Sequence, residues 1–159
     1  MSDTHVQRLR RIRDELDGVR VSVAFVIANQ HDQAIITALM LSLPNKSVPL
    51  KDIEDARDAL EGTYLIRLYA EFQGLLKHQL AANHPATKIP PNSNADWLVS
   101  RVLRAEGIKA DPALRARLDS VRDYRNDLAH QNNVPQMLTF QEALSTLNTL
   151  VAKLSEPLA

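Results

Sequence analysis

The residues best suited to chemistry in this chain lie in one stretch, DYRNDLAHQ, residues 123–131, where Arg125, Asn126 and His130 follow Arg122. A histidine titrates near neutrality and can pass protons. An arginine holds a permanent charge on a planar fork that matches phosphate, and an amide can orient either group. Together they suit an acidic phosphate substrate. Cleaving RNA requires a base for the 2′-hydroxyl proton, an acid for the leaving 5′-oxygen and positive charge for the phosphorane. No metal or other cofactor is obligatory for it.

Helical geometry complicates this picture. With Arg122 set at zero and about 100° per residue, Leu128, Val121, Leu114 and Leu118 fall at roughly 240°, 260°, 280° and 320°, and Arg125 falls inside that apolar arc at about 300°. Burying an unpaired guanidinium costs several kcal/mol, so a carboxylate, water or a ligand is expected beside it. His130 is turned roughly 140° from Arg125 and stands about 7.5 Å further along the axis, so the two do not share a face. They converge only if the helix frays or bends, or if a second copy of the chain brings its own pair alongside. Asn126 and His130 are an i,i+4 pair on one face, with Arg122 one step before, which makes a polar edge beside Arg125. The competing reading pairs Arg125 with a carboxylate and leaves His130 as a cation at a helix C-terminus.

Helices must position these residues. Apolar residues at three- and four-residue steps predict a first helix over 4–30, through Leu9, Ile12, Leu16, Val19, Val23 and Val26. A second is predicted over 32–43, stopping before Pro44. A third and longest runs from an N-cap at Ser47 to about residue 82, its stripe formed by Leu60, Tyr64, Leu68, Phe72, Leu75 and Leu76. HPATKIPPNSN, residues 84–94, is a proline-rich loop. A fourth helix over 95–106 carries Trp97, Leu98, Val102 and Leu103 and ends at Gly107. Asp111-Pro112 opens the fifth, which runs to His130, and a capping box from Thr139 to Glu142 opens the sixth. No internal repeat is present. The expected fold is all-α: an up-and-down bundle with an N-terminal helical hairpin laid against it.

The chain has 159 residues, 45% hydrophobic and 24% charged, which suits one compact domain. Its 19 basic and 19 acidic residues cancel, so any nucleic-acid site must be a local patch. The absence of cysteine excludes disulfides, thiolate nucleophiles and thiolate-bound metals. The start, MSDTHVQRLRRIRDEL, is charged and unlike a signal peptide, so a cytoplasmic protein is expected. The longest apolar region, VSVAFVIANQHDQAIITALMLSL, is interrupted by residues 29–33 and reads as two buried segments, without a membrane span.

Arg125-Asn-Asp-Leu-Ala-His130 resembles the signature of the HEPN family of helical nucleotide-binding and RNA-cleaving domains: Arg, a polar residue, then His four to six positions later at a helix end. The preceding Tyr64-Leu-Ile-Arg-Leu-Tyr-Ala-Glu-Phe72 resembles the family's first core helix, with its aromatic and acidic positions, and a last helix follows after a short loop. The resemblance spans residues 49–156, a HEPN-like four-helix core, and leaves 1–48 as an N-terminal helical extension of a single domain. It implies a metal-independent endoribonuclease, a toxin or antiviral defence effector, with a composite site at a homodimer cleft and products ending in 2′,3′-cyclic phosphate and 5′-hydroxyl. By that resemblance His130 is the general acid/base, Arg125 holds the scissile phosphate and Asn126 orients the pair. RNA, a second copy and an antitoxin or regulatory protein are the implied partners. One departure bears on the last: toxins modified on a tyrosine two residues after the histidine need that tyrosine, and here the residue is Asn132. The alternative within the resemblance is a catalytically inactive domain that binds nucleotide, RNA or a partner protein.

Secondary candidates surround the motif. Glu71 interrupts the core-facing run of the long helix and offers a partner for Arg125 or, at i,i+4, for Arg67. Tyr124 could stack on a base or simply pack, and Arg122 could bind substrate. Arg101, Arg104, Lys109, Arg115, Arg117 and Arg122 form either an RNA-binding rim or a charged exposed face. His31-Asp32 resembles a metal dyad, but its flanks are apolar. His78 and His84 lack a partner at metal-ligand spacing and read as solvated.

Overall fold

A computed structural model describes residues 3–42, 50–109, 111–130 and 137–155. Six helices account for nearly all of them: α1 Asp3–Ala28, α2 Gln33–Ser42, α3 Leu50–Asn83, α4 Ala95–Ala105, α5 Pro112–His130 and α6 Phe140–Ser155. No strand occurs among the described residues. The all-α expectation is met, and each predicted helix is present with ends within a few residues. Pro44, Ser47 and Asn132, assigned roles above, lie outside the described residues.

The helix ends follow from short polar contacts encoded in the sequence. Thr139 and Glu142 form the expected reciprocal box: the Glu142 N–H donates to Thr139 Oγ1 at 3.2 Å and the Thr139 N–H donates to Glu142 Oε2 at 2.8 Å. Asp111 Oδ1 accepts from the Ala113 N–H at 3.0 Å, with Pro112 in the first turn where no N–H is needed. At the end of α4, Gly107 takes φ +66°, and the Ile108 N–H returns to the Leu103 carbonyl at 2.9 Å. That is a Schellman stop, favourable only where no Cβ opposes the left-handed backbone. Asp32 Oδ1 accepts from the Ala34 and Ile35 N–H groups at 3.0 and 3.2 Å, so the His31-Asp32 pair starts α2.

Helix α3 is the hub, with α1, α4, α5 and α6 all packed on it and α5 also packed on α6. A helix surrounded in this way must be apolar on more than one face. Leu65, Leu68, Tyr69, Phe72, Leu75, Leu76 and Leu80 are accordingly all buried, whereas Leu60 and Tyr64 of the predicted stripe pack only at the margin. One continuous cluster joins these to Leu98 and Val102 of α4, Leu114, Leu118 and Val121 of α5, and Phe140, Leu147 and Leu150 of α6. At about 1.5–3 kcal/mol for each large side chain removed from water, this cluster is the main stabilising term. Gly62 lets α5 approach α3, since a Cβ there would lie 3.1 Å from Leu128 Cδ2.

The N-terminal segment differs from expectation in one respect. Leu9, Ile12 and Leu16 of α1 belong to the core, so the first half of that helix completes the domain. The second half does not continue the buried stripe: Val19, Val23 and Val26 are half-buried, and Val21 and Phe25 are 70% and 52% exposed. In α2, Ile35 and Ile36 are half-buried and Thr37 and Ala38 exposed. The two segments flanking residues 29–33 are therefore partly exposed, because α1 extends past the core that its first half covers. No helix among the described residues is long and apolar enough to cross a membrane.

Candidate functional site

The end of α5, the middle of α3 and the start of α4 enclose an open cleft of about 320 Å³. From α5 it receives Arg122, Arg125 and Asn126, from α3 Tyr69 and Gln73, and from the N-terminus of α4 Asn94 and Asp96. Three of the residues singled out by the sequence motif thus share one concavity. Asn94 is also the N-cap of α4, its side chain accepting from the Trp97 N–H at 2.8 Å.

Arg125 is half-buried, as its position in the apolar arc of α5 requires. Its guanidinium carbon lies 5.9 Å from the centre of the Tyr69 ring, within cation–π range. Its Nη1 donates to Asn126 Oδ1 at 3.0 Å, and its Nε is buried with no hydrogen-bond partner among the described residues. No carboxylate pairs with Arg125 among the described residues. A buried donor left in this state costs about 1–3 kcal/mol.

Arg122, one turn earlier, is in the opposite situation. Its Nη1 lies 2.9 Å from Asp119 and 3.4 Å from Asp96, and its Nη2 is 2.9 Å from Asp123. Burial works against its charge, but these three carboxylates outweigh burial and hold the guanidinium above its ordinary range. Asp96 is shared with Arg115. Arg122 is therefore neutralised within the chain, and Arg125 is the cation of the cleft that is available to an anion.

Tyr69 was not anticipated from the sequence as a site residue. Burial pushes its phenol up to about 12, with Arg122 and Arg125 pulling the other way. It stays a neutral hydroxyl at the cleft wall. Tyr124, anticipated as a stacking surface, is buried in the core at 7% exposure, and burial next to Glu61 raises its phenol as well. The wheel explains the exchange: Tyr124 sits beside Val121 and Leu128 on the packed side of α5, and Tyr69 reaches the cleft from α3.

Glu71 lies away from this cleft. It follows Tyr69 by two residues, about 200° around α3, and so turns toward α1, where Arg8 lies 3.4 Å from its carboxylate. Arg67 is engaged by Glu15, also of α1.

His130 is the last residue of α5 and is exposed. The helix is α-helical through that residue, and His130 does not line the cleft. Within the chain the Arg125–Asn126 pair and His130 are separate surfaces. His84, expected to be solvated, has Nε2 3.3 Å from Glu106, whose carboxylate also accepts from Gln79 and Asn83 at 3.1 and 3.2 Å. Burial opposes that carboxylate's charge, but the three donors hold it below its usual range. Among the described residues no group of three side chains of metal-ligating type is assembled.

No protein-family model matches the sequence, no curated protein matches it, and no solved structure matches its fold.

Proposed function

We propose that this chain is a metal-independent endoribonuclease of HEPN type, acting as a homodimer whose subunits together supply Arg125 and His130. The observation that carries the reading is the half-buried Arg125 guanidinium, open to a cleft and free of any carboxylate among the described residues. An arginine kept in that state at the cost of a buried, unpartnered donor is arranged for an anion from outside the chain. A scissile phosphate is such an anion. Asn126, which accepts from Arg125, orients the fork. His130 of one subunit is the general acid/base, taking the 2′-hydroxyl proton and supplying one to the leaving 5′-oxygen, and Arg125 of the other balances the charge of the phosphorane. The regular α5 turns Arg125 and His130 apart, and a two-fold axis is the simplest operation that brings one subunit's histidine to the other's arginine. A ribonuclease of this kind would serve as a toxin or an antiviral defence effector, restrained by an antitoxin or regulatory protein.

The test is cleavage of RNA in EDTA by the wild-type protein, His130→Ala and Arg125→Ala. Cleavage by the wild type alone, leaving 2′,3′-cyclic phosphate and 5′-hydroxyl ends, is expected. Equal cleavage by all three proteins, or none by any, removes catalysis by this pair.

The exposed position of His130 outside the cleft favours one second reading, a catalytically silent HEPN-like domain that binds nucleotide, RNA or a partner protein through Arg125. It predicts a dimer that cuts nothing, with a melting temperature that rises when ligand is added.

A further inference from the structure

A second concavity, of about 490 Å³, lies where α4 meets the 84–94 loop. Its polar side chains are Thr87, Lys88, Ser100, Arg101 and Arg104, its aromatic surface is Trp97, and no carboxylate among the described residues lines it. The sequence explains the grouping: Trp97, Ser100, Arg101 and Arg104 stand at i, i+3, i+4 and i+7, one stripe of α4. The opposite stripe, Leu98, Val99, Val102 and Leu103, is buried in the core. Trp97 is half-buried at the edge of that core and lines the groove with the rest of its indole.

The cations here differ from those on α5. Along the basic run from 101 to 122, Arg115 and Arg122 are occupied by Asp96, Asp119 and Asp123. Arg101 and Arg104 form no ion pair among the described residues, and Lys88, brought in by the loop, forms none either. Among the described residues Arg101 has only the Thr87 hydroxyl, to which Nη2 donates at 3.4 Å. Glu106, at the end of the same helix, is held by Gln79, Asn83 and His84. Three positive charges therefore stand together, without a counter-charge among the described residues, on a protein whose net charge is zero.

We propose that this groove binds a single-stranded polynucleotide, its phosphates on Lys88, Arg101 and Arg104 and one base stacked on Trp97. The combination separates the ligand classes: cations alone would suit any polyanion, but an aromatic surface among them serves a ligand that alternates charge with exposed planar rings. A duplex hides those faces. A strand does not, and the Thr87 and Ser100 hydroxyls add partners for phosphate or sugar oxygens. This proposal does not rest on the ribonuclease reading, since none of its residues belongs to the Arg125 cleft.

Trp97 is the only tryptophan of the chain, so its fluorescence reports this groove directly. The probe is oligodeoxyuridylate of about 12 nucleotides, within the usual reach of such grooves, which lacks the 2′-hydroxyl needed for cleavage. Saturable quenching is expected, with log affinity falling against log salt at a slope of about −2, the value for roughly three phosphate contacts on a single strand. Lys88→Gln with Arg104→Gln, at two exposed positions, should weaken binding about ten-fold or more and flatten that slope. Trp97→Leu, followed by anisotropy of a labelled strand, should lose about five-fold or more. His130→Ala should lose cleavage and still show saturable quenching of Trp97, which keeps this test apart from that of cleavage. Tighter binding of oligouridylate than of the deoxy strand would assign the groove to RNA. Absent quenching, quenching unchanged by the double substitution, or equal binding of a duplex or of polyglutamate would overturn the proposal.

Discussion

Arg125 stands over the ring of Tyr69 at 5.9 Å, and this pairing of a cation from α5 with an aromatic from α3 forms a wall of the cleft. The tyrosine supplies what a carboxylate ordinarily would, an electron-rich surface, but leaves the guanidinium's charge uncancelled. Arg122, three residues earlier, is cancelled by three aspartates. The same residue type on one helix is thus a structural ion pair at one position and an available anion-binding group at the next turn.

Substitution by leucine should separate the two arginines. Arg125→Leu removes a buried donor with no partner and is expected to be neutral or to stabilise by about 1–3 kcal/mol. Arg122→Leu takes one cation from Asp96, Asp119 and Asp123, the first two of which keep Arg115, and these partly exposed pairs make the expected loss about 1 kcal/mol. Thermal unfolding of both variants is the measurement, and a larger loss at Arg125 than at Arg122 would show that the guanidinium of Arg125 is structurally satisfied.

Alkaline titration should single out Tyr69 among the three tyrosines of the chain. Its phenol ionises at about 12 in the folded protein against an ordinary value of 10.0. In that window the unfolded chain has lost the proton and the folded chain retains it, so stability falls as pH rises from 10 toward 12. Tyr69→Phe should remove the highest-pH step of the ultraviolet tyrosinate titration. Arg125→Ala should move that step upward, because the guanidinium favours the phenolate.

Acid should act through Glu106. Its carboxyl is held below its ordinary 4.5 by Gln79, Asn83 and His84 against the opposing effect of burial. The stabilisation is complete above that ordinary value and is lost as pH falls through the lowered folded value. Glu106→Gln should lower the melting temperature at neutral pH and flatten the acid limb of stability against pH. An acid limb identical to the wild type's would place the acid sensitivity elsewhere.

Subunit mixing addresses the composite site. Arg125→Ala and His130→Ala proteins, each inactive, are unfolded together and refolded. A random mixture is half heterodimer, and one of the two sites in each heterodimer retains both residues, so about a quarter of wild-type activity should return. No recovery, or a monomer in light scattering, would rule out a site shared across a two-fold axis.

The long α3 tests the hub. Phe72 is wholly buried, and Phe72→Ala should cost about 3–5 kcal/mol in chemical denaturation. Val21→Ala, at a position 70% exposed on α1, should change stability by less than about 0.5 kcal/mol.

By itself the sequence determined the helices and their ends, because these depend on contacts within a few residues. The Thr139–Glu142 box, the Asp111-Pro112 start and the Gly107 stop can all be read from neighbouring residue types, and each occurs as read. The apolar periodicity of α5 likewise located Arg125 on the packed side of its helix. What surrounds that arginine depended on elements far away in the chain. Tyr69, more than 50 residues earlier, and Asp96, more than 25 earlier, enter the cleft only because α4 and α5 both pack on α3. The same packing buried Tyr124, turned Glu71 toward Arg8, and left the far half of α1 beyond the core. It also divided one basic run into paired and available cations, a distinction set by which carboxylates the folded chain brings within 4 Å and therefore invisible to a count of charges.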